Sequence, residues 1–392
     1  MKIVIIPSGF KECLEAEEVA SAMDKGIRRF DPTVNTIVIP MVDGGEGFVK
    51  TIIRIKKGNL IFIEATGPVG EKVETYFGMY VENGVKTAVI EMAAIAGLKM
   101  VPHNQRNPLK TTTFGVGELI QAALDSGADH ILIGCGDSGT SDGGAGMAQA
   151  LGVRFLNQEQ QVIDIKGGGD LHHIAHMDLS NVDARLSQVQ INVACNWHNI
   201  LCGTNGVAHV FAPQKGATPI EVELLANGLE HYANIIKKVT GIDVKTLPGS
   251  GASGGLGAGL IAFTGAQLFP RYEIIMKYIQ IEQHLQGADL VLTAEGCLDR
   301  QTPNGKIPAE VARLAKQLGI PVIAITGTIG KDAWVNYTSG IDAYMSIIQK
   351  PTSLEKAMED AAHLIADSAE AAVRQIQVGY RIAERKYRKG II

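Results

Sequence analysis

The sequence predicts an α/β protein of two domains, and three observations support this prediction. Both ends of the 392-residue chain alternate apolar strands with amphipathic helices, as in parallel sheets with helical crossovers. The middle of the chain differs, because glycine-dense loops separate its strands. The chain is also too long for one ordinary hydrophobic core. We therefore expect a discontinuous α/β domain built from both chain ends, a second α/β domain inserted into it, and a cleft between them.

The first forty residues read as strand, helix and strand. KIVIIP is the first strand, an amphipathic helix opened by Ser8 follows it, and NTIVIPM is the second strand. The C-terminal third repeats this order. Its strands at 288–296 and 321–330 enclose a helix at 307–319, which carries Pro308 in its first turn.

The middle of the chain is predicted to hold three strands and two long helices. The strands are 87–93, 129–136 and 190–196, and the helices are 115–127 and 219–241. Thr113 is placed to cap the first of these helices. The resulting domains are residues 1–82 plus 288–392 and an inserted domain of residues 83–287.

Composition and charge exclude several classes of protein. A net charge of −5 offers no clustered basic face for nucleic acid. The five cysteines match no zinc spacing and no disulfide framework, which indicates a reducing compartment. No apolar run reaches the length of a membrane span, and the N-terminal strand is too short for a signal-peptide core. We expect a cytoplasmic protein, and the sequence does not distinguish a monomer from a homo-oligomer.

Two glycine-dense loops each follow a strand or turn and run into a helix. In GCGDSGTSDGGAGMAQALG (134–152) the glycines let backbone amides approach a ligand, and the helix start favours phosphate. Asp142 supplies an oxygen ligand suited to a metal–nucleotide complex. The second loop, PGSGASGGLGAGLIAF (248–263), is either another amide-lined surface or a site of close helix packing.

Three further segments place charged residues at strand ends. AEGCLDRQTPNGKIPAE (294–310) brings Glu295 and Asp299 near Lys306, which stands at a helix N-terminus. MVDGGEGF (41–48) holds Asp43 in a glycine turn, and PSGFK (7–11) places Lys11 after the first strand. Lys215 follows Pro213 in a separate loop. Since ligands bind beyond the carboxyl ends of parallel strands, these segments form the predicted site.

The chain resembles the bacterial glycerate kinases of the first class. The resemblance rests on GVGELIQAALDSGADHILIGCGDSGTSDGGAGMAQALGVRF and, in the family's order, on VDGGEGF, ATGPVGE, VIEMAAIAGL, FAPQKGATP, GSGASGGLGAGL and AEGCLDRQT. It implies two α/β domains, one of them Rossmann-like. It also implies a kinase that uses ATP and Mg²⁺ to convert D-glycerate, a small hydroxy acid, to 2-phosphoglycerate.

Three motifs depart from the family's usual pattern. PSGFKE replaces PDSFKG, so Ser8 stands where aspartate is common, and ACNWHNIL replaces ACDVTNPL, so Asn196 stands in place of a carboxylate. CGDSGTSDGG replaces IGGSATNDGG, which adds Asp137 and keeps Asp142. These changes put the acid substrate in question, and we expect Ser8 and Asn196 to contact it.

Phosphoryl transfer requires positioning and neutralisation of charge, and roles are assigned on that basis. Nucleotide-binding residues are predicted to be Gly136, Ser138, Gly139, Thr140, Gly143, Gly144, Gly254, Gly255 and Lys306. Mg²⁺ would be held by Asp142, Glu295 or Asp299. The substrate carboxylate would pair with Lys11 or Lys215. Lys11 is also predicted to be catalytic, together with Asp43 and Asp142, and either Asp43 or Asp142 would be the base.

Three alternatives remain. A nucleotide-linked oxidoreductase would need a GxGxxG after the first strand, and that motif is missing there. A sugar-acid sensor without turnover is consistent with the carboxylates replaced at Ser8 and Asn196. Within the kinases, the acceptor could instead be the 3-hydroxyl of glycerate or a longer acid such as erythronate or threonate.

Overall fold

The computed structural model describes residues 1–10, 13–42 and 44–388. In chain order its strands are β1 (Lys2–Pro7), β2 (Asn35–Val38), β3 (Asn59–Thr66), β4 (Lys72–Glu82), β5 (Val85–Glu91), β6 (His130–Gly134), β7 (Arg154–Leu156), β8 (Val162–Ile163), β9 (His176–Asp178), β10 (Gln190–Cys195), β11 (Gln267–Pro270), β12 (Leu290–Leu298), β13 (Val322–Ile329) and β14 (Ala343–Ser346).

The α-helices surround these strands. They are α1 (Ala16–Phe30), α2 (Phe48–Lys56), α3 (Ala93–Ala96), α4 (Phe114–Asp125), α5 (Ala145–Ala150), α6 (Val207–Phe211), α7 (Pro219–Thr240), α8 (Ala252–Thr264), α9 (Arg271–Ile279), α10 (Ile281–Leu285), α11 (Ile307–Gln317), α12 (Leu354–Glu359) and α13 (Ala361–Arg388). None of the helices in the described part of the chain is long and apolar enough to cross a membrane.

The chain divides into two compact units. Unit 1 contains Met1–Val42 and Gln280–Ile392, and unit 2 contains Asp43–Ile279. The α/β class is as predicted, but the first boundary falls after residue 42 rather than after residue 82. The reason is that β3 pairs antiparallel with β4 and β4 pairs antiparallel with β5, which makes both strands part of the sheet of unit 2.

Unit 1 is built on a five-stranded, wholly parallel sheet in the order β14-β13-β12-β1-β2. Helix α1 buries Val19, Met23 and Ile27, four residues apart along one face, in the core cluster that also contains Ile3 and Ile365. Strands from both chain ends therefore share one core, in which β1 lies between β12 and β2.

Helix α1 begins later than predicted. It starts at Ala16, where Glu15 and Glu18 form a reciprocal capping box. Ser8 does not cap it, because the Ser8 hydroxyl donates to the carbonyl oxygen of Ala294 on β12 at 2.9 Å. The expectation that Ser8 opens the helix is therefore wrong.

Unit 2 is built on a six-stranded mixed sheet in the order β11-β10-β6-β5-β4-β3. The four strands from β11 to β5 are parallel, and the β3–β4 hairpin extends the sheet antiparallel. A small antiparallel sheet, β8-β7-β9, lies apart from it. One core cluster contains Ile131 and Val193 of the large sheet, and a second is centred on Phe155 and Tyr232.

Candidate functional site

The parallel strands of unit 2 end at one edge of the sheet. The last residues of β5 and β6, Glu91 and Gly134, are register partners, as are the last residues of β10 and β11, Cys195 and Pro270. Because Ala194 of β10 also pairs with Gly134, these ends lie side by side. The loops that leave them occupy the position at which open parallel sheets bind ligands.

Asp142 lies inside the glycine-rich loop and is fully buried. One of its oxygens accepts hydrogen bonds from Thr113 N at 2.7 Å, Thr113 Oγ1 at 2.9 Å and Gly146 N at 3.2 Å. The other accepts from Gly144 N at 3.1 Å. Burial raises the pKa of Asp142, while the hydrogen bonds from Thr113, Gly144 and Gly146 act in the opposite direction. Four donors join this carboxylate to the starts of α4 and α5, so its geometry fits a positioning role better than a metal-binding or basic one.

Thr113 takes part in this arrangement more fully than a helix cap requires. Its hydroxyl donates to Asp142 and accepts from Met147 N at 3.0 Å, which links the start of α4 to α5. It makes no capping hydrogen bond within its own helix. The run of three threonines before α4 is the one signal in the sequence that points to it.

Lys215 supports the same loop from the interior. The side chain is 2% exposed, and Nζ donates to Ser138 Oγ at 2.8 Å and to the carbonyl oxygen of Thr140 at 2.5 Å. Burial lowers the pKa of Lys215 to about 7, and the charge of Asp142 opposes this shift. The contacts of Lys215 are therefore with the loop, and its buried position does not fit the predicted pairing with a substrate carboxylate.

The second glycine-dense segment packs directly on the first. A Cβ atom at Gly254 would lie 1.9 Å from the carbonyl oxygen of Thr140, and one at Gly255 would lie 2.8 Å from Cα of Gly143. Gly143 N also donates to Gly254 O at 3.1 Å. Close backbone packing thus accounts for these glycines. Of the two predictions for this segment, the structure supports close packing and not an amide-lined surface.

Several amides of the predicted phosphate loop are already used inside the protein. Gly139 N donates to Ala96 O at 2.9 Å, and Gly144 N to Asp142. Together with the bond from Gly143 N to Gly254 O, these bonds do not leave the amides of Gly139, Gly143 and Gly144 directed at a phosphate. The hydroxyls of Thr140 and Ser141, in contrast, are buried and have no hydrogen-bond partner among the described residues.

A short turn, residues 44–47, covers the ends of β6 and β10. A Cβ atom at Gly44 would lie 3.1 Å from Ala194 O, and one at Gly136 would lie 2.7 Å from Cα of Gly45. Glu91, at the end of β5, accepts hydrogen bonds from Gly47 N and Val49 N on the far side of this turn. Asp43, one of the two residues predicted as the base, lies outside the described residues.

Asn196 directly follows β10 at the same edge. It is partly exposed, and its Oδ1 accepts from His198 N at 3.2 Å, which closes a short turn. The side-chain nitrogen Nδ2 of Asn196 has no hydrogen-bond partner among the described residues, so it is available to a ligand.

In unit 1, charged residues gather between β12 and α11. Glu295 is 6% exposed and accepts from Thr302 Oγ1 at 2.6 Å. Lys306 Nζ lies 3.6 Å from Glu295 Oε2 and 3.3 Å from Asp299 Oδ1. Lys306 is also the N-cap residue of α11, which has no side-chain cap. The predicted trio Glu295, Asp299 and Lys306 is therefore brought together in space.

The two carboxylates of this trio have different environments. Burial raises the pKa of Glu295 to about 6, while the Thr302 hydroxyl and the charge of Lys306 limit the shift. At Asp299 burial acts in the same direction, but hydrogen bonds from Gln301 and Lys306 outweigh it and hold the pKa below its ordinary value. At neutral pH both groups are thus mainly ionised and can bind a cation.

The remaining predicted residues of unit 1 lie near the N-terminus. Ser8 N and Oγ both donate to Ala294 O, at 2.8 and 2.9 Å, which fixes Ser8 at the end of β1 beside β12. Lys11 lies outside the described residues. Within the described ranges there is no group of three or more histidine, cysteine or acidic residues that could hold a metal by itself.

Comparisons with known proteins agree with one another. A family model described as the glycerate kinase family matches residues 3–377. A glycerate kinase of Halalkalibacterium halodurans is 46% identical over 376 residues, which are 96% of this chain and 97% of that protein. The glycerate 2-kinase of Escherichia coli is 43% identical over 383 residues, 98% of this chain and 100% of that protein. A solved structure described as glycerate kinase 2 of Salmonella typhimurium LT2 is 43% identical, has a TM-score of 0.82 and covers 97% of this chain and 99% of its own.

Proposed function

The chain belongs to the glycerate kinase family, and on this premise we propose that it transfers the γ-phosphoryl group of ATP to D-glycerate. The observation that carries the proposal is similarity over nearly the whole chain to proteins named glycerate kinase. The relative from Escherichia coli is a glycerate 2-kinase, which supports the 2-hydroxyl as acceptor and 2-phosphoglycerate as product.

For the nucleotide, we assign Lys306 to the phosphates. Its ammonium group stands at the N-terminus of α11, where the helix dipole also favours an anion. In unit 2 the Gly136 backbone and the hydroxyl of Ser138 are assigned to further phosphate contacts, whereas the hydroxyl of Thr140 is fully buried in the loop and is not. Gly139, Gly143, Gly144, Gly254 and Gly255 are assigned instead to the packing that shapes the loops.

The carboxylates Glu295 and Asp299 would hold Mg²⁺. A pair of oxygen ligands fits this ion, which is usually bound by one or two carboxylates together with phosphate oxygens and water. Asp142 fits poorly, because four donors already occupy its two oxygens. When bound, Mg²⁺ neutralises charge on the phosphates.

The acceptor is proposed to bind through the side chains of Ser8, Lys11 and Asn196, with Asp43 as the base. The ammonium group of Lys11 would neutralise the substrate carboxylate. The side-chain NH₂ group of Asn196 can donate a hydrogen bond to a carboxylate or hydroxyl oxygen of the substrate. Asp43 would accept the proton of the attacking hydroxyl. Lys215 and Asp142 would act through the loop that they support.

The test is ATP consumption in a coupled assay with D-glycerate, L-glycerate, erythronate, threonate and tartronate, followed by ³¹P NMR of the product. We expect Mg²⁺-dependent turnover with D-glycerate and a 2-phosphate resonance. Faster turnover with a four-carbon acid would show that the substrate is longer than glycerate, and would indicate that the loops containing Ser8 and Asn196 determine this specificity. A folded protein that binds D-glycerate but consumes no ATP would overturn the kinase proposal in favour of a sensor.

A pair of variants tests the nucleotide assignment. Lys306→Met should raise the KM for ATP by about tenfold or more, since a charge-assisted contact to phosphate is lost. Lys316→Met, on the last turn of the same helix, is the matched control and should leave that constant unchanged. An unchanged KM for ATP in both variants would remove Lys306 from the nucleotide site.

A further inference from the structure

Glu91 is a buried carboxylate at the edge where the parallel strands of unit 2 end. It is the last residue of β5, pairs in register with Gly134, and is 2% exposed. Taking a carboxylate out of water is costly unless hydrogen bonds or charges compensate it. The residue therefore requires an explanation, since β5 could end in an apolar or amide side chain at lower cost.

The compensation comes from the backbone of the next element. Glu91 Oε1 accepts from Gly47 N at 3.2 Å, and Oε2 accepts from Val49 N at 3.1 Å. These amides belong to the first turn of α2, whose N-cap residue, Gly47, has no side chain to cap it and adopts a φ of 83°. Glu91, on β5, thus provides the anionic cap that the N-terminus of α2 lacks.

The turn held in this way is a structural part of the candidate site. Its Gly44 and Gly45 lie against Ala194 O and Gly136, and Glu46 N donates to Asp137 Oδ2 at 3.1 Å. The amides bound by Glu91 therefore fix one end of a turn whose other end rests on the glycine-rich loop. A shift of the first turn of α2 would be transmitted to that loop.

Among the described residues, Glu46, Lys50 and Tyr76 are the charged or titratable groups that interact with Glu91. Burial raises the pKa of Glu91 to about 7, the bonds from Val49 and Gly47 hold it lower, and Glu46 and Lys50 act in opposite directions. Burial raises the pKa of Tyr76 on β4, and the charge of Glu91 raises it further. Above pH 7 the carboxylate form, which can accept both amides, predominates.

We propose that Glu91 is a positioning residue, which acts through the turn 44–47 to place the acceptor side of the reaction. The first part of this inference concerns the turn alone. The second part rests on the proposed function, because the turn directly follows the position assigned to the base.

The turn is tested without any assay of activity. Hydrogen exchange, measured at pH 8 by mass spectrometry on Glu91→Gln, should be faster in the peptide that contains residues 44–49 and unchanged elsewhere in unit 2. Glutamine has one acceptor and would direct its NH₂ group at the second amide. Exchange that is unchanged in this peptide would overturn the inference whether or not the protein is a glycerate kinase, and faster exchange throughout unit 2 would reduce Glu91 to a general stabilising residue.

Kinetics at pH 8 test the catalytic part. Glu91→Gln should lower kcat/KM for glycerate by about tenfold or more, while KM for ATP stays within about twofold, since small misplacements near a reacting group are costly. Glu91→Asp keeps the charge and should recover part of the loss, which also covers the case that Glu91→Gln does not fold. Glu82→Gln is the control and should behave as wild type, since Glu82 ends β4 opposite Val85, the first residue of β5, and forms an ion pair with Lys56.

The kinetic outcomes separate the two proposals. A loss of kcat/KM that disappears when the rates are normalised to the fraction of folded protein would indicate a smaller active fraction and contradict a positioning role. A wild-type protein that does not phosphorylate glycerate would end the proposed function, while the exchange result would still decide the role of Glu91 in the turn.

Discussion

At the residue scale, the loop between β6 and α5 depends on two buried ionisable side chains. Asp142 receives four donors, and Lys215 gives two of its N–H groups to Ser138 and Thr140. For each side chain, hydrogen bonds within the protein compensate the free-energy cost of removing the ionisable group from water. Residues of this kind are easily assigned to catalysis from sequence, because acid and lysine are the expected chemistry, whereas their burial becomes evident only in the fold.

Asp142→Asn tests the positioning role. The amide keeps one acceptor but directs an NH₂ group at donors, so buried hydrogen bonds are lost, and we expect a destabilisation of about 2–4 kcal/mol in urea unfolding. Asp125→Asn, at a carboxylate that is 68% exposed in its ion pair with Arg185, should change stability by less than about 0.5 kcal/mol. Wild-type stability together with complete loss of turnover would return Asp142 to the reaction itself.

The lowered pKa of Lys215 predicts how the free energy of unfolding depends on pH. Its pKa falls from the ordinary 10.5 to about 7 on folding, so between these values the unfolded chain binds more protons than the folded one. The contribution of Lys215 to stability therefore rises with pH above 7, by up to about 1.4 kcal/mol per unit, and the full penalty is present below pH 7.

The measurement is the difference in unfolding free energy between wild type and Lys215→Met at pH 7, 8 and 9. We expect this difference to shift steadily in favour of wild type as the pH rises. Lys110→Met removes an exposed lysine of the same unit and should give a difference that does not depend on pH. A flat difference for Lys215→Met would mean that the buried amine keeps its proton in the folded protein.

At the element scale, the two glycine-dense segments form one packed layer. Residues 253–255 adopt left-handed backbone angles within α8, and this shape brings Gly254 against Thr140. The sequence pattern suggested two separate ligand loops. In the fold, one segment serves to support the other, because both backbones must approach within distances that only glycine allows.

Gly254→Ala measures this packing. The added methyl group would meet Thr140 O at 1.9 Å in a backbone with φ of 71°, so we expect a loss of about 2–4 kcal/mol in denaturant unfolding. Gly265→Ala is matched in conformation, with φ of 68°, but has nothing within 4 Å of the new methyl group. It should cost only about 1 kcal/mol. Equal losses in the two variants would show that conformation, and not contact between the segments, explains the glycine at 254.

At the scale of the whole molecule, alternation of strands and helices was sufficient to predict the α/β class and the joining of both chain ends. The boundary was misplaced because no strand was predicted in residues 59–82. In the fold β3 and β4 form a hairpin and β4 pairs antiparallel with β5, which joins both strands to the sheet of unit 2. The trio Glu295, Asp299 and Lys306 was predictable, since it lies within twelve residues of sequence. The contact of Glu91 with Gly47 and Val49 was not, because these partners are more than forty residues away.

The division into units predicts which fragments can fold. The hydrophobic clusters around Ile131 and Phe155 lie wholly within residues 43–279, and all six strands of the larger sheet come from this one continuous segment. A fragment of residues 43–279 should therefore unfold cooperatively in urea and keep a native near-ultraviolet circular dichroism spectrum. It should have no kinase activity, because Lys306 and its carboxylate partners are missing.

The complementary fragment provides the contrast. Residues 280–392 contain β12, β13 and β14, but in the native sheet β1 lies between β12 and β2. Without residues 1–42 the edge of β12 and the core side chains that pack on α1 and β1 are exposed, so this fragment should lack a cooperative transition and aggregate. Cooperative folding of residues 280–392 alone would show that unit 1 does not need both chain ends, and failure of residues 43–279 would show that the core of unit 2 depends on unit 1.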